Sequence, residues 1–101
     1  MSMCYGLSQK EYEFIYQTVV VPLKAHGAVI WCFGSRARGT HSRFSDLDLM
    51  VESQRDLSSI VAEISDQLVN SNFPYKVDLV ELNNFAKSYL DNYNKEKVLF
   101  S

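Results

Sequence analysis

A basic surplus is what this chain most plainly lacks. Its 101 residues carry 10 Lys and Arg against 12 Asp and Glu, a net charge of −2. A general nucleic-acid binder neutralises phosphates with a cationic face, so no direct nucleic-acid partner is expected. Cysteine is scarce as well. Cys4 and Cys32 stand alone, with no C-x-x-C spacing, which excludes a disulfide framework and fits a reducing, cytoplasmic setting. The longest apolar run, residues 28–33, is far too short to span a bilayer, so no membrane role is expected. No charged segment followed by an apolar stretch opens the sequence, so no signal peptide is expected. Repeats, low-complexity tracts and linkers are missing too.

What is present is ordinary globular material. Hydrophobic residues make up 47% and charged residues 22%, enough apolar surface to form a core and too little charge for disorder. The length suits one domain with one modest core, here residues 1–101, with residues 1–7 as a loose N-terminal tail.

Helices and strands alternate along the chain. Ser8 and Glu11 form a capping box ahead of Tyr12, Ile15, Tyr16, Val19, Val20 and Leu23, which share one helical face. Pro22 should end or kink that helix, and Gly27 is its natural stop. Residues 28–33 read as a strand covered on both faces, with Cys32 and Trp31 in the core. Gly34-Ser35 is a strand-to-helix turn leading into a short helical turn over residues 36–38. Residues 47–52 read as a second strand. Ser53 or Asp56 caps a second long helix whose buried stripe is Leu57, Ile60, Val61, Ile64 and Leu68. Residues 75–81 read as a third strand. Asn83 caps a last helix carrying Phe85, Tyr89, Leu90 and Tyr93, and residues 97–100 add a short edge strand.

Three carboxylates fall at telling places on this frame. Side chains on a strand alternate faces, so Asp46, Asp48 and Met50 share one face while Leu47, Leu49 and Val51 share the other. The leucine face packs on helices. The aspartate face must meet water or a ligand, because unpaired charge is costly to bury. If the third strand lies beside the second, Asp78 joins Asp46 and Asp48. Mutual repulsion among three such groups is relieved by a divalent hard cation, and Mg²⁺ leaves positions for water and substrate phosphates. Two such ions bracket the attacking and leaving oxygens of an in-line phosphoryl displacement. In this scheme Asp46 and Asp48 hold metal against a triphosphate. Asp78 holds the second metal near the acceptor hydroxyl and helps remove its proton.

Gly34 lets backbone approach a phosphate, and Ser35 adds a hydroxyl at a helix start. Arg36 and Arg38 flank the turn on different faces, and Arg38 is the better placed for phosphate. Ser45 or Thr40 is a further phosphate contact. His41 and Ser42 read as solvated loop residues, and His26 as a cap partner at a helix end. Each element alone is commonplace. The ordered set of Gly34-Ser35, Asp46-x-Asp48 and Asp78 is specific.

The stretches Phe33-Gly-Ser-Arg-Ala-Arg-Gly-Thr40, Ser45-Asp-Leu-Asp-Leu49 and Val77-Asp-Leu-Val80 resemble the polymerase-beta-type nucleotidyltransferase superfamily. Within it the chain is similar to the minimal nucleotidyltransferase (MNT) group. The resemblance implies an α/β (α+β) fold with a mixed central sheet of three to four strands and helices packed mainly on one side. It implies catalysis by Asp46, Asp48 and Asp78, two Mg²⁺ ions, and ATP as donor. Many MNT proteins are antitoxins paired with a small all-helical HEPN toxin, and the family implication is transfer of AMP to a toxin tyrosine. Larger relatives hold the base and the acceptor with extra segments. A chain this short is therefore expected to use a partner or second copy, as a hetero- or homo-oligomer. Two rival readings remain open: a nucleotidyltransferase acting on a small molecule, and a non-catalytic antitoxin that masks its partner.

Overall fold

The computed structural model describes residues 5–40 and 45–100. The capping box forms as read: the Glu11 N–H donates to Ser8 Oγ at 3.1 Å, and the Ser8 N–H donates to Glu11 Oε1 at 2.8 Å. It starts α1 (Gln9–Ile15), which runs through a π-helical segment (Tyr16–Val20) into α2 (Val21–Lys24). Pro22 lies in the first turn of α2. Its ring crowds the preceding turn and it has no N–H to give. The chain answers by widening the pitch, with the Val21 N–H reaching back to the Tyr16 carbonyl, rather than by ending the helix. The end comes at Gly27, where N–H groups of Gly27 and Ala28 return to the Lys24 and Leu23 carbonyls at 2.9 and 3.1 Å. That closing pair needs the positive φ, +84°, that Gly27 supplies.

The sheet comprises β1 (Val29–Phe33), β2 (Leu47–Glu52), β3 (Val77–Glu81) and the short β4 (Val98–Leu99), in the order β3-β2-β1-β4. β1 pairs antiparallel with β2 and β4, and β2 pairs parallel with β3. The parallel pair needs a crossover, which α4 (Ser58–Val69) supplies. At its start Asp56 accepts from the Ser58 N–H at 3.0 Å, while buried Glu81 accepts from the Leu57 N–H at 3.2 Å. One turn, α3 (Ser35–Arg38), follows β1.

Alternation sorts the sheet into two faces. Ile30, Cys32, Leu47, Leu49 and Val51 pack with Ile15, Val19, Leu23, Val61, Ile64 and Leu68 in one core. The opposite face carries Trp31, Phe33, Asp48 and Asp78, and over Phe33 lie Phe85 and Tyr93, each edge-on. Among the described residues the longer helices thus share one side, and the last helix serves the other.

Four expectations are corrected. Trp31 is half-buried, not core: it faces the carboxylate side, where its indole N–H donates to Glu52 Oε1 at 2.7 Å and Lys97 lies 4.4 Å over the ring. The third strand begins at Val77, two residues late, because Tyr75 turns its ring to Phe73 and to the Arg36 guanidinium. Asn83 caps no long helix. Its amide reaches toward the Ser53 carbonyl at 3.4 Å, and Phe85 and Ala86 are extended between two 3₁₀ turns (Leu82–Asn84 and Lys87–Tyr89). Only then does α5 (Leu90–Glu96) begin. Finally, residues 5–7 of the expected tail are docked. Tyr5 and Leu7 are buried, Tyr5 stacks on Phe100 with centroids 4.6 Å apart, and its hydroxyl donates to the Leu99 carbonyl. Among the described residues no helix is long and apolar enough to cross a membrane.

Docking of Tyr5 has a measurable consequence. Truncating a buried aromatic costs about 3 kcal/mol, so Tyr5→Ala should lower the urea midpoint accordingly with an unchanged slope. A shift equivalent to less than about 1 kcal/mol would mean the segment hangs free.

Candidate active site

β1 delivers the chain to Gly34, whose φ of +75° and ψ of −156° suit glycine alone. Space makes a second demand. A Cβ at Gly34 would land on the Asp48 carboxylate, with Oδ2 in collision and Cγ at 3.3 Å. The glycine therefore lets the turn lie flat against Asp48, a requirement the sequence reading did not foresee beside phosphate approach. The turn is closed from behind by the Arg38 and Thr40 N–H groups, which donate to the Gly34 and Ser35 carbonyls. Ser35 is half-buried at the first position of α3.

Asp48 and Asp78 are direct neighbours across the parallel β2–β3 ladder and lie on one face. Burial, first, and then the charges of Asp78 and Asp46 push the Asp48 carboxyl up to about 6, helped by a side-chain hydrogen bond with Asp78; Lys76 pulls the other way. Asp46 stands just ahead of β2 and is exposed. Its charge reaches Asp48, but among the described residues no three carboxylate, His or Cys side chains form a ready cation cage. The donor set still suits Mg²⁺. That ion is held by one or two carboxylates plus substrate phosphates, not by a closed protein cage. The like-charge tension recorded in the Asp48 shift is what a cation would relieve.

The two arginines separate sharply. Arg36 is 2% exposed. It donates through Nε to the Ser45 carbonyl at 3.1 Å and through Nη1 to the Tyr5 carbonyl at 3.0 Å, with its guanidinium 4.4 Å over the Tyr75 ring. Arg36 thus ties the N-terminal segment and the approach to β2 together, facing inward. Arg38 is exposed and donates through Nη1 to Glu96 of α5 at 3.0 Å. Thr40 is exposed. His41 and Ser42 lie outside the described residues.

Sequence reasoning did not foresee three features around the candidate site, one of them the inward turn of Arg36, which it had offered to phosphate. Lys76 Nζ lies 3.6 Å from Asp78 Oδ1, and the signal was available, since residues two apart on a strand share a face. The inward role of Arg36 had no local signal. Nor had the aromatic cover of Phe85 and Tyr93 beside Gly34, because it depends on how the last segment folds back.

Residues 23–101 match the family described as Polymerase beta, Nucleotidyltransferase. A probable protein adenylyltransferase MntA of Haemophilus influenzae is 34% identical over 53 residues, covering 52% of this chain and 46% of that protein. The chain thus spans just under half the length of this curated relative. The crystal structure of a toxin–antitoxin with AMP-PNP superposes with a TM-score of 0.63 at 25% identity, over 81% of this chain and 69% of that one. A mutant of the toxin–antitoxin MntA–HpeT gives a TM-score of 0.66 at 22% identity, over 89% and 72% of the two chains. That last likeness speaks for the fold alone.

The carboxylate pair should be a liability in the isolated protein. Asp48 has its folded pKa raised, so its contribution to stability is complete below the unfolded value near 3.8 and is lost as pH rises through about 6. Asp48→Asn should therefore stabilise the metal-free protein at pH 7, by about 1 kcal/mol after allowing for solvent screening. The gain should vanish below pH 4. Equal stability of the two proteins at pH 7 would mean that the pair carries no strain.

Gly34 provides a second check. Gly34→Ala should destabilise by at least about 2 kcal/mol, since strained φ adds to overpacking. Gly27→Ala has positive φ but open space around it, and should lose only about 1 kcal/mol. Thermal melts of the two variants measure the difference, and equal losses would remove the Asp48 contact from the explanation.

Proposed function

The chain belongs to the polymerase beta nucleotidyltransferase family, and from that premise we propose that it transfers AMP from ATP to a tyrosine of a partner protein. The partner we propose is a small all-helical HEPN-type toxin, which the transfer silences, so that the chain acts as an antitoxin in a hetero-oligomer. The observation that carries the reading is the Asp48–Asp78 pair lying against the Gly34-Ser35 turn. The names of its relatives support the rest: one is a probable protein adenylyltransferase, and another is a toxin–antitoxin crystallised with AMP-PNP.

In this reading the Gly34 backbone and the Ser35 hydroxyl grip the triphosphate. Among the described residues Arg38 engages Glu96 through Nη1, and its other N–H groups are offered to phosphate oxygens. The inward-facing Arg36 holds the loop before β2 from behind, with the Ser45 carbonyl as its anchor. Asp46, Asp48 and Asp78 are the metal-binding and catalytic set. Bound Mg²⁺ supplies charge neutralisation at the phosphates and alignment for in-line displacement. Asp78, half-buried beside Lys76, faces the acceptor and takes the proton of the incoming tyrosine hydroxyl. That oxygen forms the new bond to the α-phosphorus as pyrophosphate leaves. The partner protein holds its own hydroxyl in line, the positioning on which phosphoryl-group chemistry depends.

Purified chain, labelled ATP, Mg²⁺ and the helical partner should yield label on a partner tyrosine, with neutralisation below one equivalent. Asp46→Asn/Asp48→Asn should lower transfer at least about 100-fold. Asp78→Asn should still bind Mg-ATP within a few-fold yet transfer slowly, as expected of a group acting in the transition state. No label, with wild type and double variant both neutralising only at one-to-one, would replace the enzyme by a mask.

A further inference from the structure

A cavity of about 240 Å³ opens beside the phosphate turn, with Gly34 in its lining and Phe33, Phe85, Tyr89 and Tyr93 as its aromatic walls. These rings brace one another. Phe85 lies 5.7 Å from Phe33, 5.7 Å from Tyr93 and 5.9 Å from Tyr89, centroid to centroid. Their burial is graded. Tyr93 is buried, Phe33 and Phe85 are half-buried, and Tyr89 is 60% exposed. Packing accounts for the inner three. It does not account for Tyr89, a large ring kept at the surface and leaning on Phe85.

Position and charge narrow what such a cavity can take. Phe33 is the register partner of Asp48 on the neighbouring strand, and Gly34 touches the Asp48 carboxylate side. The cavity thus adjoins the turn through Gly34, within reach of the next group of a ligand whose phosphates lie there. Among the described residues the charged ones in the lining are Arg38 and Glu96, paired with each other at 3.0 Å. Beyond that pair the lining is four aromatic rings, Gly34 and the uncharged Asn92, so it favours a flat, uncharged group over a second anion. A nucleobase is such a group, and stacking on an aromatic side chain tolerates every base because each has a π-face.

We propose that this cavity is the nucleobase subsite for the donor nucleotide, with Tyr89 stacking on the base and Phe85 fixing the Tyr89 ring. The inference rests on the nucleotidyl-transfer reading and adds to it. This short chain then supplies its own base-holding wall from the segment before and within α5, and a partner is required only for the acceptor.

The test compares a ligand with a base and one without. Calorimetric titrations, in Mg²⁺, use ATP and inorganic triphosphate against wild type, Tyr89→Ala and Tyr89→Phe. Tyr89→Ala should weaken ATP roughly 5- to 150-fold, the range of one lost base stack, and leave inorganic triphosphate within about twofold. Tyr89→Phe, which keeps the ring, should bind ATP like wild type. The fluorescence of 2-aminopurine riboside triphosphate should be quenched on binding wild type and much less on binding Tyr89→Ala. If Tyr89→Ala binds ATP within about twofold of wild type, or loses inorganic triphosphate equally, the subsite is elsewhere and the transfer reading still stands. If wild type binds neither ligand, the transfer reading fails and this one with it.

Discussion

The parallel pairing of β2 with β3 sets Asp48 directly beside Asp78, and most of the structure is arranged around that juxtaposition. Two carboxylates held as cross-strand neighbours repel each other. Partial burial, first, and then this repulsion push the Asp48 carboxyl up to about 6. A small domain keeps such a pair only if other contacts hold the strands in register. Leu47, Leu49 and Val51 do this from the opposite face, because a slip of one residue would send them into water and the aspartates into the core. The core therefore enforces the site, and the site draws on stability the core supplies.

Beside the pair, the turn after β1 is built with equal constraint. Gly34 has neither room for a side chain nor a conformation that favours one. The inward Arg36 secures the same region from behind by joining the Tyr5 carbonyl, the Ser45 carbonyl and the Tyr75 ring. A buried guanidinium is tolerable because charge-assisted bonds to carbonyls and a ring face replace its water. Its neighbour in the same turn, Arg38, reaches outward to Glu96 and so links the turn to α5. Two arginines two residues apart thus divide, one buried and turned inward, the other exposed and turned outward.

The second face of the sheet is completed by aromatic rings from the last segment. Phe85 and Tyr93 meet Phe33 edge-on, and Lys97 lies over both Trp31 and Tyr93. Burial, and then the nearby Glu52 charge, push the Tyr93 phenol up to about 12, so this ring stays neutral where the carboxylates beside the turn are charged. The outcome is an acidic side and an aromatic side separated by one turn of backbone, the rings bordered by Lys97 and by the Arg38–Glu96 pair.

Much of this was legible in order along the chain. The capping box, the Gly27 stop, the bounds of β2 and the alternation of Asp48 with leucines are local, set by period and by backbone conformation. The ordered set of glycine, serine and three aspartates carried the family. Other features depended on which distant segments meet. Whether Asp78 lay beside Asp48 rested on a parallel pairing across the α4 crossover. The inward turn of Arg36, the clash that forbids a side chain at Gly34 and the extended backbone at Phe85 rested on contacts between residues far apart in sequence. Hydrophobic period and capping chemistry fixed the elements and the face each aspartate takes. Tertiary packing alone chose their neighbours, because a contact's energy belongs to both partners and only one of them is visible in any local stretch.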